Sequence, residues 1–330
     1  MDEYLIGIDV GGTNIKMMIM TGTFQIVEKT TIPTMSAIGS AGYEAALRRM
    51  IKTLDNMFRK HGIWDPKVLY LSMGLPGMVD SVHGKTLNLP FLQWDGFDPS
   101  RIIADHFNAP SVIENDANVN VIGEYYFGKH WAENMILVTL GTGVGGGILI
   151  NGEIFGGSRH FGGELGHMVI MADDDLEFCG RKGCLETYCS GSAMASAARN
   201  EMNTDPKTCL HRLVQERGEY DNSLVTLGCL SGDAACIRIM EQVSHYLAVG
   251  LVNLMELFNP ELILIGGGVS DAGELLLKPV REEVKRRVLW EEQRCPILRA
   301  SLGAEAGMYG ACALAAQKAG ISPIRGRFLD

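Results

Sequence analysis

The 330-residue sequence has little basic charge for its length and no cysteine before position 179. Its 29 lysines and arginines are outnumbered by 39 acidic residues, which gives a net charge of −10 at pH 7. A chain of this charge is not attracted to nucleic acid or to an anionic membrane, so we expect neither as its main partner. A nucleotide stays a possible ligand, because backbone N–H groups, helix N-termini and Mg²⁺ bind phosphates without a basic patch.

The sequence also lacks a basic leader at its start and any uninterrupted apolar run long enough to span a membrane. All eight cysteines lie in the second half of the chain. In a chain of this size they favour free thiols and a metal site over a disulfide framework. We therefore expect a soluble, cytoplasmic protein.

Glycine, in contrast, is abundant, and many of the 40 glycines occur in short clusters. Residues 4–9 and 15–20 are two apolar strand patterns joined by a Gly/Thr loop, and residues 135–140 and 148–150 repeat this layout. Such a repeat predicts two related α/β domains. The other predicted elements are helices at 43–60, 117–127, 234–258 and 305–318 and strands at 68–73, 111–114 and 261–265. The last helix is expected to pack on the first domain.

The first glycine loop is Asp9-Val10-Gly11-Gly12-Thr13-Asn14. A carboxylate at a strand end, followed by two glycines and a hydroxyl, suits binding of Mg²⁺ and phosphate. A hairpin turn with a capping aspartate is the structural alternative.

The second loop, residues 141–147, matches G-x-G-x-x-G. A dinucleotide-binding fingerprint would open a helix, whereas a β-like segment and an Asn-Gly turn follow here, so we interpret the loop as a second phosphate hairpin. A third cluster, residues 266–268, follows a buried strand and either accepts an adenosine or simply ends that strand.

A polar segment, Glu114-Asn115-Asp116-Ala117-Asn118, lies at a predicted strand-to-helix junction. Ligands of open α/β sheets bind beyond the carboxyl ends of strands, so a carboxylate at this position is well placed for chemistry. Asp116 could accept the proton of an attacking hydroxyl, as a kinase requires, or it could be a helix N-cap.

A possible metal site follows in residues 163–186. His167, Cys179 and Cys184 lie within eighteen residues, with glycines between the cysteines, which is typical of a tight zinc site. Core packing is the alternative for each of these residues alone.

Together these motifs resemble the ROK family of repressors, open reading frames and sugar kinases. The segments that carry the resemblance are residues 9–14, 74–77, 114–118, 140–147, 163–167, 179–186 and 258–268, in the order that the family has them. The resemblance implies an α/β, two-domain, actin-like (ribonuclease H-like) ATPase fold with a cleft between the domains. It implies a smaller domain of residues 1–118 plus about 305–330, and a larger domain of residues 119–304 with a zinc-type insertion near 167–186.

The resemblance also implies an ATP:sugar phosphotransferase that uses ATP and Mg²⁺ and carries a structural Zn²⁺. In this interpretation Asp116 is the general base. The implied sugar-binding residues are Asn88, Asn115, Asp116, Glu164, His167 and Glu186. The implied ATP-binding residues are Asp9, Gly11, Gly12, Thr13, Asn14, Gly141, Thr142, Gly143, Gly267 and Gly268. The implied zinc ligands are His167, Glu177, Cys179 and Cys184.

One position departs from the family pattern, which has a cysteine two residues before Cys179 where this sequence has Glu177. A carboxylate can bind zinc, so Glu177 is the expected fourth ligand. The alternatives are that Cys189 takes this place or that the site is weak or empty.

Three other functions fit the sequence less well. A DNA-binding repressor is disfavoured because Asp9 lies so near the start of an acidic chain. A non-catalytic sugar sensor is disfavoured because Asp116 and both phosphate loops are present. A dehydrogenase is disfavoured because the second glycine loop is followed by a β-like segment and not by a helix. Glucose, giving glucose 6-phosphate, is the expected substrate. Allose, mannose, fructose, N-acetylmannosamine and N-acetylglucosamine stay open, and a homodimer is expected from the family alone.

Overall fold

The computed structural model describes residues 2–34, 39–89, 92, 94–174 and 180–322, with residues 39–41 described by their backbone only. The strands are β1 Glu3–Val10, β2 Asn14–Thr21, β3 Ile26–Pro33, β4 Lys67–Leu75, β5 Met78–Asp80, β6 Lys85–Asn88, β7 Ser111–Asn115, β8 Met135–Leu140, β9 Val144–Ile150, β10 Glu153–Ile154, β11 Leu262–Gly266 and β12 Ile297–Arg299. The helices are α1 Gly39–Lys60, α2 Pro99–His106, α3 Asp116–Phe127, α4 Leu185–Cys189, α5 Gly191–Thr204, α6 Leu210–Arg217, α7 Ser223–Leu230, α8 Ala234–Phe258, α9 Glu274–Arg287 and α10 Ala306–Lys318.

The two large sheets share one layout. The first has the order β3-β2-β1-β4-β7, and the second has the order β10-β9-β8-β11-β12. In the first sheet β1 pairs antiparallel with β2 and parallel with β4, and β11 of the second sheet runs parallel to both β8 and β12. This common layout confirms the repeat that was predicted from the two strand–glycine loop–strand patterns.

Contacts group the chain into two compact units. The first contains Met1–Glu133, Gly147–Gly162 and Ser301–Asp330, and the second contains Asn134–Gly146 and Gly163–Ala300. This grouping does not divide the chain between residues 118 and 119, because α3 packs closely against α10 in the first unit. The predicted domain boundaries, as limits of bodies that fold or move independently, stay a prediction.

In the first unit, helices cover both faces of the sheet, so its inner strands β1 and β2 are apolar on both sides. Ile6, Ile8 and Met17 belong to a cluster with α1 and α2, whereas Leu5 and Met18 belong to a cluster with α3 and α10. The last helix therefore packs on the first sheet, as predicted. The contact is close because Gly7 lies under α10, where a Cβ would approach the Cys312 backbone nitrogen to 2.7 Å.

Capping residues define both ends of the longest helix, α8. The Asp233 side chain accepts a hydrogen bond from the backbone N–H of Cys236, which caps the first turn. Asn259 ends the helix in the left-handed conformation, with φ 43°, and Pro260 follows. Among the described residues, no single helix has the length and apolarity of a membrane span, although the bent pair α7 and α8 reaches that threshold together by length and composition.

Candidate functional site

The first glycine loop is a tight turn between β1 and β2. The backbone N–H of Gly11 donates to the carbonyl O of Asn14 at 2.9 Å, and Thr34 binds the loop at the carbonyls of Gly11 and Thr13, each at 2.8 Å. A Cβ at Gly12 would have no atom within 4 Å, and Gly12, Thr13 and Asn14 are exposed. The loop therefore has a fixed backbone with open space in front of it, where a phosphate oxygen could approach.

Asp9 lies directly beneath this loop. It is 8% exposed, and its Oδ2 lies 3.4 Å from Nζ of Lys16. Burial raises the pKa of the Asp9 carboxyl, and the Lys16 ammonium opposes this rise. Gly307 of α10 has to be glycine, since a Cβ there would overlap the Asp9 carboxylate. The chain thus holds a largely buried carboxylate close to the loop.

We predict that Asp9→Asn raises the thermal midpoint at pH 7 while lowering any phosphate-dependent activity. The folded-state pKa of Asp9 lies above its unfolded value, so ionisation costs stability once the pH rises past the unfolded pKa, and this cost disappears at about pH 4 and below. Calorimetric melts at pH 7 and near pH 4 test this. Asp80→Asn is the matched control, because hydrogen bonds from His83 lower the pKa of Asp80, and its loss should give no gain. An Asp9→Asn midpoint at or below the native value at pH 7 contradicts the prediction.

The junction of β7 and α3 fixes the predicted base. Asn115, not Asp116, is the N-cap residue of α3: its Oδ1 accepts from the backbone N–H groups of Ala117 (2.9 Å) and Asn118 (3.2 Å). The Asn115 Nδ2 donates to the carbonyl O of Gly77 at 3.1 Å. Asp116 is half-buried in the first turn of the helix, and its Oδ1 accepts from the Ala117 N–H at 2.9 Å. The N-cap role that was the structural alternative for Asp116 therefore belongs to Asn115.

Two further polar residues lie around this junction. Glu114 is buried, and its Oε1 accepts from the Asn115 N–H (2.9 Å) and the Asn118 Nδ2 (3.0 Å). Asn88 is exposed at the end of β6 and pairs with Met78, the residue after Gly77. The first unit therefore brings Asn88, Asn115 and Asp116 to the same end of its sheet.

The second glycine loop, between β8 and β9, contacts a predicted sugar ligand. Oε2 of Glu186 accepts a hydrogen bond from the backbone N–H of Val144 at 2.8 Å. A Cβ at Gly143 would overlap this same oxygen, so a side chain at that position would displace the Glu186 carboxylate. A Cβ at Gly141, in contrast, would have no atom within 4 Å. The loop is therefore held from one side and open at its tip.

A short 3₁₀ turn in the same unit, Leu165–His167, begins directly after Glu164 and ends at His167. The Glu164 and His167 side chains are partly exposed, and His167 Nε2 lies 3.9 Å from Glu164 Oε2. Gly166 packs on the second loop so closely that a Cβ there would overlap the carbonyl O of Val144. Three predicted sugar ligands, Glu164, His167 and Glu186, therefore lie around one stretch of the second glycine loop.

The predicted zinc ligands are only partly described, since Glu177 and Cys179 lie outside the described residues. His167 Nδ1 is buried and accepts or donates no hydrogen bond within the described part of the chain. The Cys184 thiol is buried and donates to the His167 carbonyl O at 3.6 Å. An orphaned imidazole nitrogen beside a buried thiol fits a zinc ion. The alternative ligand Cys189 fits less well, because its thiol donates to the Val243 carbonyl and burial raises its pKa, which disfavours the thiolate.

Another group was missed by the sequence interpretation. Across residues 2–34, 39–89, 92, 94–174 and 180–322, one set of three side chains is close enough to share a metal ion: ligand atoms of Cys209, Asp233 and Cys236 lie within 4.8 Å of one another. Burial by itself would raise the pKa of Asp233, but the backbone N–H groups of Cys209 and Cys236 bind the carboxylate and bring its pKa to about 2. Oδ1 of Asp233 thus caps α8 and Oδ2 binds the backbone N–H of Cys209, which gives this carboxylate a structural role.

A cavity of about 430 Å³ opens beside the third glycine cluster. Gly267 has φ 78°, and a Cβ there would overlap the Leu140 carbonyl. Gly268 lines the cavity together with Arg217, Asn222, Ser223, Thr226, Leu227 and Asp271. This volume is in the range of small-ligand sites. The lining side chains from α6 and α7 belong to no sequence motif that would have predicted this cavity. Only the packing of the second unit brings them to Gly268.

Three comparisons relate the chain to known proteins. A family profile described as the ROK family matches residues 5–318. A glucokinase of Halalkalibacterium halodurans is 32% identical over 312 residues, which are 94% of this chain and 94% of that protein. A xylose repressor of Caldicellulosiruptor bescii is 29% identical over 292 residues, which are 86% of this chain and 70% of that protein. The crystal structure of a ROK family glucokinase from Streptomyces griseus, in complex with glucose and AMPPNP, superposes with a TM-score of 0.80 at 30% identity and covers 95% of this chain and 99% of that one.

Proposed function

Because the chain belongs to the ROK family and has its two-domain, actin-like ATPase fold, we propose that it is a sugar kinase that transfers the γ-phosphoryl group of ATP to glucose. The product is glucose 6-phosphate, and ADP is released. The glucokinase from Halalkalibacterium halodurans and the Streptomyces griseus glucokinase complex support this assignment. The observation that carries it is the position of Asp116 in the first turn of α3, where Asn115 and not Asp116 is the N-cap residue.

Asp116 is the general base of the proposed reaction. Its carboxylate accepts the proton of the glucose 6-hydroxyl while that oxygen attacks the γ-phosphorus and the bond between this phosphorus and the bridging oxygen of ADP breaks. Because the Asp116 Oδ1 accepts from Ala117 N–H, the carboxylate is held in a fixed orientation. Asn115 and Asn88 are proposed to bind sugar hydroxyls beside it, as are Glu164, His167 and Glu186 of the second unit.

The two glycine loops are proposed to bind the phosphates. Gly11, Gly12, Thr13 and Asn14 offer an exposed turn with open space above Gly12, and Gly141, Thr142 and Gly143 offer a second turn with open space above Gly141. Asp9 would hold Mg²⁺ through water, because its largely buried carboxylate lies next to the loop. When bound, Mg²⁺ neutralises charge on the phosphate oxygens.

The adenosine is proposed to occupy the cavity at Gly267 and Gly268. Gly268 offers an open backbone, since a Cβ there would have no neighbour within 4 Å. Leu227 supplies an apolar surface, and Asn222 and Asp271 supply polar groups for the base and ribose.

An ADP-release assay with Mg-ATP tests the proposal against glucose, allose, mannose, fructose, N-acetylmannosamine and N-acetylglucosamine. We expect the highest kcat/KM with glucose. The alternative is a sugar sensor without turnover, which the similarity to a xylose repressor favours. Sugar binding by calorimetry without ADP release for any of the six sugars would establish that alternative and reject the kinase.

A structural zinc ion is part of the proposal, with His167, Glu177, Cys179 and Cys184 as ligands. We predict about one zinc per chain by elemental analysis, lost in Cys184→Ser together with several degrees of the thermal midpoint. Cys236→Ser is the matched control, because it removes a thiol from the Cys209–Asp233–Cys236 group and should retain the zinc. Loss of zinc in Cys236→Ser, but not in Cys184→Ser, would place the ion at the other group.

A cytoplasmic location and a homodimer complete the proposal. The seven described cysteines are free thiols, as is usual for proteins of a reducing compartment. The homodimer rests on the family expectation and is tested by light scattering.

A further inference from the structure

The backbone N–H and the backbone carbonyl of Val144, in the second glycine loop, each contact a segment that carries proposed sugar ligands. Its N–H donates to Glu186 Oε2 at 2.8 Å. Its carbonyl O lies against Gly166, where any Cβ would overlap it, and Gly166 lies between Glu164 and His167 in sequence. Two residues on, Gly146 lies against Leu165 so closely that a Cβ would overlap this side chain. The loop and the sugar-binding segments therefore pack without space between them.

We propose that Glu186 is a positioning residue for the phosphate loop as well as a sugar ligand, and that it couples the binding of glucose to the binding of ATP. This inference rests on the proposed function, since it assigns the loop to phosphates and the carboxylate to sugar. The two roles use different oxygens: Oε2 binds the loop backbone, and Oε1 takes no part in that hydrogen bond.

The geometry explains why a movement of Glu186 would be transmitted to the loop. A hydrogen bond from a backbone N–H to a carboxylate is charge-assisted and stronger than a neutral one. Gly143 lies against the same oxygen, since a Cβ there would overlap it, so the carboxylate packs directly on the loop. A glucose hydroxyl that binds Oε1 would fix the side-chain rotamer of Glu186 and, through Val144, the backbone of the loop.

Coupling of this kind is reciprocal. The ligand that binds first orders Glu186 and the loop, so the second ligand loses less conformational entropy when it binds. Glucose must then tighten nucleotide binding by the same factor as the nucleotide tightens glucose binding. We expect this factor to be about fivefold or more in the native protein.

Titration calorimetry with glucose and with Mg-AMPPNP, each alone and each in the presence of the other, tests the inference. In the absence of any sugar, Glu186→Ala should weaken Mg-AMPPNP binding about fivefold or more, because the Val144 N–H loses its acceptor. Glu186→Gln keeps an acceptor oxygen and should stay within about twofold of native. Glu164→Ala is the matched control: it removes another proposed sugar carboxylate, at a position exposed to solvent, and should weaken glucose but not sugar-free Mg-AMPPNP.

The same link can be tested from the loop. Gly143→Ala would displace the Glu186 carboxylate, so it should weaken glucose binding about fivefold or more with no nucleotide present. Gly141→Ala, which adds a methyl group to open space in the same loop, should leave glucose binding unchanged. This pair also gives an answer if Glu186→Ala does not fold.

The outcomes separate this inference from the proposed function. A native protein that binds glucose and Mg-AMPPNP without mutual enhancement, or a folded Glu186→Ala with native sugar-free Mg-AMPPNP affinity, overturns the coupling and leaves the kinase intact. A native protein that binds neither ligand overturns both.

Discussion

Asp116→Asn is expected to lower kcat about 10³-fold while leaving the affinity for glucose within about threefold of native. Asparagine has nearly the same shape as aspartate, and its carbonyl oxygen can still accept from the Ala117 N–H that Asp116 Oδ1 binds at 2.9 Å. It cannot accept a proton from the sugar hydroxyl. The variant therefore removes the proposed base and keeps a polar side chain at the same position.

The measurements are steady-state ADP release and calorimetric titration with glucose. Asp105→Asn is a suitable control, because Asp105 is exposed on α2, where it pairs with Arg101, and its replacement should change neither quantity. Native turnover by Asp116→Asn would show that another group accepts the proton. Equal losses in kcat and in glucose affinity would indicate a binding role in place of the base.

Glu124→Ala is expected to lower the free energy of unfolding of the protein by about 3–5 kcal/mol. Glu124 is completely buried in α3. Its carboxylate accepts hydrogen bonds from the Ser301 N–H (3.0 Å), the Ser301 hydroxyl (2.8 Å) and the Leu302 N–H (2.7 Å). Alanine would leave these donors without an acceptor in the segment that leads to α10.

Urea unfolding followed by tryptophan fluorescence measures this loss, since Trp94 is completely buried in the same unit. Glu44→Ala is the control: it breaks an exposed i,i+4 pair with Arg48, which should cost less than about 0.5 kcal/mol. A Glu124→Ala midpoint equal to that of Glu44→Ala would contradict the expectation that this buried carboxylate supports the first unit.

Most of the secondary structure follows from local patterns. The helix predicted at 234–258 is confirmed as α8, and the helix predicted at 305–318 is confirmed as α10 within one residue. The apolar spacing defines these helices, and Asp233 and Asn259 define the ends of α8 through capping that local sequence can show. The predicted strands from 68 and 111 are likewise confirmed as parts of β4 and β7.

The site was predictable where one motif carries both the ligand and its geometry. The hairpin glycines at residues 11 and 12 and the junction at Asp116 lie where the sequence placed them. The capping role went to Asn115, which differs from Asp116 by a single position that pattern analysis does not resolve. The roles of all these residues in catalysis and binding stay predictions until the variants are measured.

The sequence by itself determined the family, the repeated strand–loop–strand layout and the residue types that suit ATP and sugar, because each of these depends on neighbours within a few positions. Only the tertiary structure decided which residues, far away in the sequence, contact these loops and side chains and hold them in place. Glu186 meets Val144 across forty-two positions, Glu124 meets Ser301 across 177, and Gly307 lies against Asp9 from the other end of the chain. Contacts between segments so far apart leave no local periodicity or spacing, since they arise from how the helices and strands pack.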